Sequence, residues 1–327
     1  MSPRLLLIAV IAPLAVAANG DYAQQVVELV NQERWYDGGL SPLKRNDLLD
    51  QSAHSHSTNM AERNFFSHCD LDTKTSPFDR MRAAGYNYRA AGENIAAGYG
   101  TPADVMNGWM NSSGHRSNIL SGSYREIGVG YVFQSADQKN IRGDTNGDCA
   151  ADYADRGPYY KYWTQNFGSS GAYPLVIDRE NDETASPDVD LYVYGQGFAA
   201  QMRFRNEDGA WSMWEPYSPD MFWTLSPGAG VKTVSAQIRN GSDVRTATDS
   251  ILLVQGCSAM NDDHHLHVQA TTVSVDRTFS ACNTLLAGAG GFRVEAKVTF
   301  HAPRILLRPG FSVAANGVFS AVSGVPK

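Results

Sequence analysis

Three short stretches carry side chains able to move a proton or hold a metal. They are FFSHCD with His68, AGENIAAG with Glu93 and SSGHRSNIL with His115. Two imidazoles and a carboxylate are the donor types of an open zinc site, where water fills the fourth position, and also those of acid–base work. No local motif ties them together: HExxH, GxSxG and a nucleophile spaced to a base are all missing. Spacing therefore leaves alternatives open. His115 either reaches a cleft or hydrogen-bonds a backbone carbonyl. Glu93 either serves that cleft, caps a helix end or pairs with Arg116. Asn94 and Arg116 read as loop-holding side chains.

Two further clusters carry metal-binding types. DTNGDCAADYAD places Asp144, Asn146, Asp148, Asp152 and Asp155 at positions 1, 3, 5, 9 and 12 of a calcium-loop register. Position 6 is Cys149 where a sharp turn wants glycine, and position 12 is Asp where a bidentate Glu is expected. Calcium is thus the weaker reading beside a solvated acidic insertion tethered by a disulfide. DDHHLH, residues 262–267, reads as a polar strand edge before a metal cluster.

The elements that must position these residues differ along the chain. Residues 21 to about 135 read mainly as helix. Val26, Val27, Val30 and Arg34 recur at helical spacing, as do Leu49, Ala53, His56 and Met60. That makes His56 a packed residue and leaves His54 solvated. Thr101 and Pro102 open a third helix, Val105, Met106 and Trp109 form its apolar stripe, and Gly114 fits the left-handed position that would end it. IGVGYVF and YKYWTQNFG follow as strands, so the first unit is helices stacked on a small sheet.

Near residue 175 the texture changes. DRENDETASPD reads as a turn-rich linker, here bounded at 171–187. Residues 188–254 then form short alternating strands broken by Gly, Pro, Asn and Asp. Trp211, Trp214 and Trp223 are expected in the core of a β-sandwich there. In residues 255–327, FRVEAKVTF alternates strictly, with Phe292, Val294, Ala296, Val298 and Phe300 on one side. The short steps around it suggest a small stacked, solenoid-like β unit.

The chain has 327 residues, of which 43% are hydrophobic and 19% charged, so a sizeable core is available. A net charge of -7 with no basic stripe argues against nucleic acid or anionic membrane as partner. Residues 1–17 combine Arg4, an apolar run and the Ala15-x-Ala17 pattern of a removable signal peptide, and no later stretch is apolar enough to span a membrane. The expected location is secreted, extracellular and oxidising. Four cysteines permit three pairings. Pairs that respect the domain split are Cys69–Cys149 and Cys257–Cys282, with free thiols as the alternative.

LVNQER, AHSHSTNMAERNFFSH, SPFDRMRAAGY, AAGENIAAGYGTPADVMNGWMNSSGHRSNIL, EIGVGYVF and YWTQNFG occur in that order. Together they resemble the bacterial branch of the CAP superfamily, the SCP-like extracellular or cysteine-rich secretory protein family, over about residues 24–168. The resemblance implies an α-β-α sandwich for residues 21–170. It also implies a cleft of two histidines and two acidic residues that binds divalent metal in some members. His68, Glu93 and His115 match three of the four. Ser112 stands where many eukaryotic members carry the second acid. Residues 188–254 resemble bacterial immunoglobulin-like repeats. VTFHAPRILLRPGFSVAANGVFSA resembles a three-coathanger stack module. The fold class is accordingly α+β, a CAP domain followed by an all-β Ig-like sandwich and a small β stack.

Two functional readings follow. One is a non-enzymatic secreted protein that binds an extracellular ligand, matrix or cell-envelope component. The other is a zinc-dependent, protease-like hydrolase using His68, Glu93 and His115 around an activated water.

Overall fold

In the computed structural model, residues 21–254 are described, together with the strand backbones lying between 265 and 323. The expected signal peptide 1–17 and the pair Cys257–Cys282 lie outside the described residues, as do the side chains of the 262–267 cluster.

The first unit runs α1 (Tyr22–Gly38), β1 (Lys44–Arg45), α2 (Asp47–Glu62), β2 (Phe65–Phe66), α3 (Pro77–Ala83), β3 (Ala90–Ala97), α4 (Pro102–Met110), α5 (Ser113–Ile119), β4 (Glu126–Phe133), β5 (Ile141–Gly143), β6 (Tyr153–Arg156) and β7 (Lys161–Ser169). Its main sheet has the order β1-β4-β7-β3, which makes β3 an edge. The period-2 alternation of these strands sends side chains to two helical layers. Ile127, Val129, Trp163 and Phe167 pack with Val26, Val27 and Val30 of α1 and Val105, Met106 and Trp109 of α4. On the other face, Ile95 and Tyr162 meet Met60 and Ala61 of α2. The α-β-α layering follows from two amphipathic helical faces bracketing one doubly buried sheet.

Two glycines set the depth of that packing. A Cβ at Gly128 would run into the backbone of Leu49, and one at Gly130 into that of Ala53, so α2 lies directly on β4 only because both are glycine. Thr101 caps α4 by accepting from Asp104 N at 3.2 Å, as its sequence signals required. The end of α4 differs from expectation. The helix stops at Met110, where Asn111 N bonds back to Asn107 O and Ser112 N to Trp109 O. Gly114 and His115 instead lie in the first turn of α5.

The next unit holds β8 (Leu175–Ile177), β9 (Glu183–Thr184), β10 (Asp188–Val193), β11 (Gln201–Asn206), β12 (Glu215–Pro216), β13 (Asp220–Thr224), β14 (Gly230–Asn240) and β15 (Asp243–Leu253). Sheets of order β13-β10-β8 and β12-β11-β14-β15-β9 enclose a core of Leu175, Ile177, Val189, Leu191, Val193, Phe204, Val234, Ala236 and Ile238. Two expectations need correction. The stretch 171–187 supplies strands to both sheets, because Leu175–Ile177 is apolar enough to join the core. Between its strands, Asp178, Arg179 and Glu180 all have positive φ (43°, 56° and 67°) and dock onto α1 and β1. Of the three tryptophans expected inside, only Trp223 packs on the core.

Beyond residue 264, three parallel sheets recur in step. They pair His265–Val268 with Thr284–Ala287 and Arg304–Leu307, Thr272–Val273 with Arg293–Val294 and Ser312–Val313, and Arg277–Ser280 with Lys297–Ala302 and Val318–Ser323. FRVEAKVTF is therefore divided between two sheets and is not one continuous strand.

Candidate functional site

Glu93 sits on edge strand β3, and alternation turns it toward α2 and α3. Short helix α3 begins with a capping box, Ser76 Oγ accepting from Asp79 N while Asp79 Oδ2 accepts from Ser76 N. Its first turn drives Arg80 inward. Arg80 Nη2 donates to Glu93 Oε2 at 2.7 Å and Nη1 to Thr75 O at 2.9 Å. His68 arrives on the loop after β2, with Nδ1 2.8 Å from Glu93 Oε1. Its neighbour Cys69 is bonded to Cys149, which fixes that loop to the β5–β6 hairpin. Directly across the sheet lies Asn166; its neighbours Ser52 Oγ and Ala53 N call for the amide oxygen on their side, the orientation in which its NH2 would donate to Glu93 Oε2 at 3.2 Å.

Both carboxylate oxygens are thus engaged in a nearly dry site: the side chains of Glu93 and Arg80 are 2% and 8% exposed, whereas His68 is 52% exposed. Burial alone would raise the Glu93 carboxyl, but His56, His68 and Arg80 together hold it below its ordinary value. His56 is itself lowered to about 4 by burial and is uncharged at neutral pH, so the His68 hydrogen bond and the Arg80 charge carry the effect there. His56 Nε2 lies 3.0 Å from Ser67 O, which requires the proton on Nε2. It is the packed residue its helical spacing predicts, while His54 is exposed.

His115 approaches from the opposite side of β3. Its backbone carbonyl accepts from Asn94 Nδ2 at 3.1 Å, and Asn94 also donates to Gln165 Oε1 at 3.0 Å. Burial and then the charge of His68 lower the His115 imidazole, so the two rings sense one another around the strand's edge. Three alternate carbonyls along that edge are capped. Ala91 O accepts from Tyr124 Oη at 3.3 Å, Glu93 O from Asn118 Nδ2 at 3.2 Å and Ile95 O from Trp109 Nε1 at 3.2 Å. Arg116 pairs outside the cleft with Asp37 at 2.9 Å.

This cleft lies within residues 27–167, which match the family model described as the cysteine-rich secretory protein family, CAP. Residues 27–167 form a CAP domain. That segment is similar to an uncharacterized protein, YkwD, of Bacillus subtilis (strain 168), 48% identical over 121 residues covering 37% of this chain and 45% of the relative. An uncharacterized membrane protein of the same organism, YlbC, is 36% identical over 107 residues, covering 33% of this chain and 30% of the relative. The chain thus spans less than half the length of either relative. A solved extracellular protein containing an SCP domain, from Bacillus anthracis, is 28% identical with a TM-score of 0.34, covering 45% of this chain and 40% of that one.

The CAP domain brings His68 and Glu93 into contact and sets His115 across the edge from them. Glu93 is spent on His68 and Arg80 and is not offered as a metal ligand; a zinc ion would have to be held by the imidazoles of His68 and His115, with the Glu93 carboxylate orienting His68 through Nδ1. Among the described residues, no three His, Cys, Asp or Glu side chains are grouped to hold a metal ion. Ser112 caps nothing through its side chain and supplies no acid.

The 144–155 loop spends its oxygens on its own backbone. Asp144 accepts from Asn146 N, Gly147 N and Cys149 N, Asp148 accepts from Ala150 N, and Asp152 accepts from Thr145 N. Asp155 lies outside this cluster, with its side chain 86% exposed. The disulfide Cys69–Cys149 is formed as expected. Arg80 and Asn166 are the site residues that sequence spacing did not reveal.

Proposed function

We propose that the chain is a secreted CAP-domain protein that acts by binding an extracellular ligand, matrix or cell-envelope component, without catalysis, at the cleft flanked by His68 and His115. The observation that carries this reading is the saturation of Glu93. A carboxylate gripped by Arg80 and His68 orients an exposed imidazole but is not available as a base or a metal ligand. In this reading residues 188–254 are an Ig-like spacer. The three parallel sheets beyond residue 264 are a three-coathanger-like stack, since strands recurring in step are what such a unit requires.

Cosedimentation of the purified chain with envelope and matrix fractions of the producing culture tests the proposal. His115→Ala should lower the bound fraction several-fold while leaving the melting temperature in place, because only the backbone of His115 is tied to Asn94. Equal sedimentation of wild type and variant removes the cleft from binding. Stoichiometric, His115-dependent zinc with peptide or ester turnover would replace this reading with the hydrolase one.

A further inference from the structure

Trp211 and Trp214 are not in the sandwich core. The core face of the five-stranded sheet carries Met202, Phe204, Val234, Ala236 and Ile238, so Arg203, Arg205, Gln237 and Arg239 point to the opposite face. The two indoles lie among these guanidinium groups in an alternating row. Arg239 stands 4.1 Å from the Trp214 ring and Arg203 4.4 Å from it. Arg203 is then 5.0 Å and Arg205 4.7 Å from the Trp211 ring.

We propose that this Arg239–Trp214–Arg203–Trp211–Arg205 ladder is a binding face for a linear acidic polysaccharide. It is a second site, independent of the CAP cleft. Among the described residues, none of the three arginines has a carboxylate oxygen within 4.0 Å, whereas Lys44, Arg45, Arg80 and Arg116 each have one. Their fixed partners are neutral: Arg203 donates to Gln237 Oε1 at 2.7 and 2.9 Å, and Arg239 to Gln201 Oε1 at 2.6 and 2.9 Å. Arg205 Nε has no hydrogen-bond partner among the described residues. On a chain of net charge -7, three uncompensated guanidinium groups in one row are a local inversion of sign.

The acidic neighbours are turned elsewhere. Glu207 Oε1 accepts from Thr233 N, and Asp243 pairs with Arg245. Glu215 lies opposite Met202, whose side chain enters the core, so alternation directs it away from the ladder. Asp208 sits in the exposed turn after β11.

The indoles matter for a physical reason. A free surface arginine loses rotamer freedom when it grips an anion, whereas one stacked on an indole has already lost much of it. Alternate residues along a strand are roughly 7 Å apart, so Arg203 and Arg205 offer a repeat matched to a polymer with regularly spaced anionic groups. Planar guanidinium forks suit carboxylate or sulfate. Trp214 has arginines against its ring, so the ladder reads charge and spacing, and neutral sugar rings gain little from it.

Electrophoresis of the full chain through gels containing alginate, with neutral dextran as the control, tests the proposal. Alginate should retard the wild type and dextran should not, and the retardation should fade as salt rises. The triple variant Arg203→Gln, Arg205→Gln, Arg239→Gln should bind roughly tenfold more weakly, the effect expected for three exposed charge pairs. The corresponding triple Lys variant keeps the charge but loses the stacked, planar forks, so its retardation should lie between that of the wild type and that of the Gln variant. Equal retardation by dextran, no loss in the triple Gln variant, or tighter binding to duplex DNA than to alginate overturns the proposal. His115→Ala leaves this face untouched, so the two sites fail or succeed separately.

Discussion

Arg80 and Glu93 form a buried ion pair, Nη2 to Oε2 at 2.7 Å, directly beneath the exposed imidazole of His68. The pair fixes the floor of the cleft, and removing one member leaves the other charged in a dry site. Arg80→Met should therefore cost about 3–5 kcal/mol of stability. Adding Glu93→Gln to it should recover part of that loss. Urea unfolding of the two variants measures the difference, and a cost below about 1 kcal/mol for Arg80→Met would mean the pair is not structural.

His56 makes stability depend on pH. Its folded value of about 4 lies below the ordinary 6.5, so the unfolded chain binds the extra proton between those limits. Its contribution is complete above about 6.5 and is lost as pH falls toward 4, amounting to roughly 3 kcal/mol. Chemical denaturation at pH 7, 5.5 and 4.5 should show this slope in the wild type and a shallower one in His56→Gln.

The junction between the CAP domain and the sandwich has the opposite sign. Lys44 Nζ lies 2.6 Å from Glu180 Oε1 and also contacts Asp249, two buried carboxylates sharing one cation. Burial, and then the charge of Asp249, push Glu180 up to about 8. Folding retains a proton there between about pH 4.5 and 8, so stability falls as pH rises through that window. Glu180→Gln should flatten the loss, and its melting temperature should exceed that of the wild type at pH 8.5.

Two glycines should respond in opposite ways. Gly130→Ala forces a methyl group into the backbone of α2 and should cost about 3 kcal/mol. Gly114→Ala meets open space in the first turn of α5 and should stabilise by up to about 1 kcal/mol. Thermal melts decide; a destabilising Gly114→Ala would restore the helix-ending role its position suggested.

The layers of the CAP domain were legible because their signals are periodic. Val26, Val27 and Val30, and Leu49, Ala53 and Met60, lie on the faces their spacing required. His68, Glu93 and His115 could be named from ordered motifs. Arg80 could not, since one arginine in SPFDRMRAAGY looks like any solvated helix cation until β3 places Glu93 opposite. The same limit hid Trp211 and Trp214. Aromatic content in a β segment signals packing, but which face it packs on depends on the register of β12 against β11. Gly114 misled for a related reason. Asn111 and Ser112 end α4 through backbone bonds available to any sequence.

The capped carbonyls of β3 bear on what the cleft can recognise. An extended peptide usually joins a sheet by strand addition, which needs an open edge. Here Tyr124, Asn118 and Trp109 already hold Ala91, Glu93 and Ile95, so a guest chain would have to displace three side chains, one of them the buried Trp109, before making a single ladder bond. The cleft is closed to main-chain reading. A ligand of the proposed kind would then be chosen there largely through side-chain contacts, which opens the class to molecules with no peptide backbone.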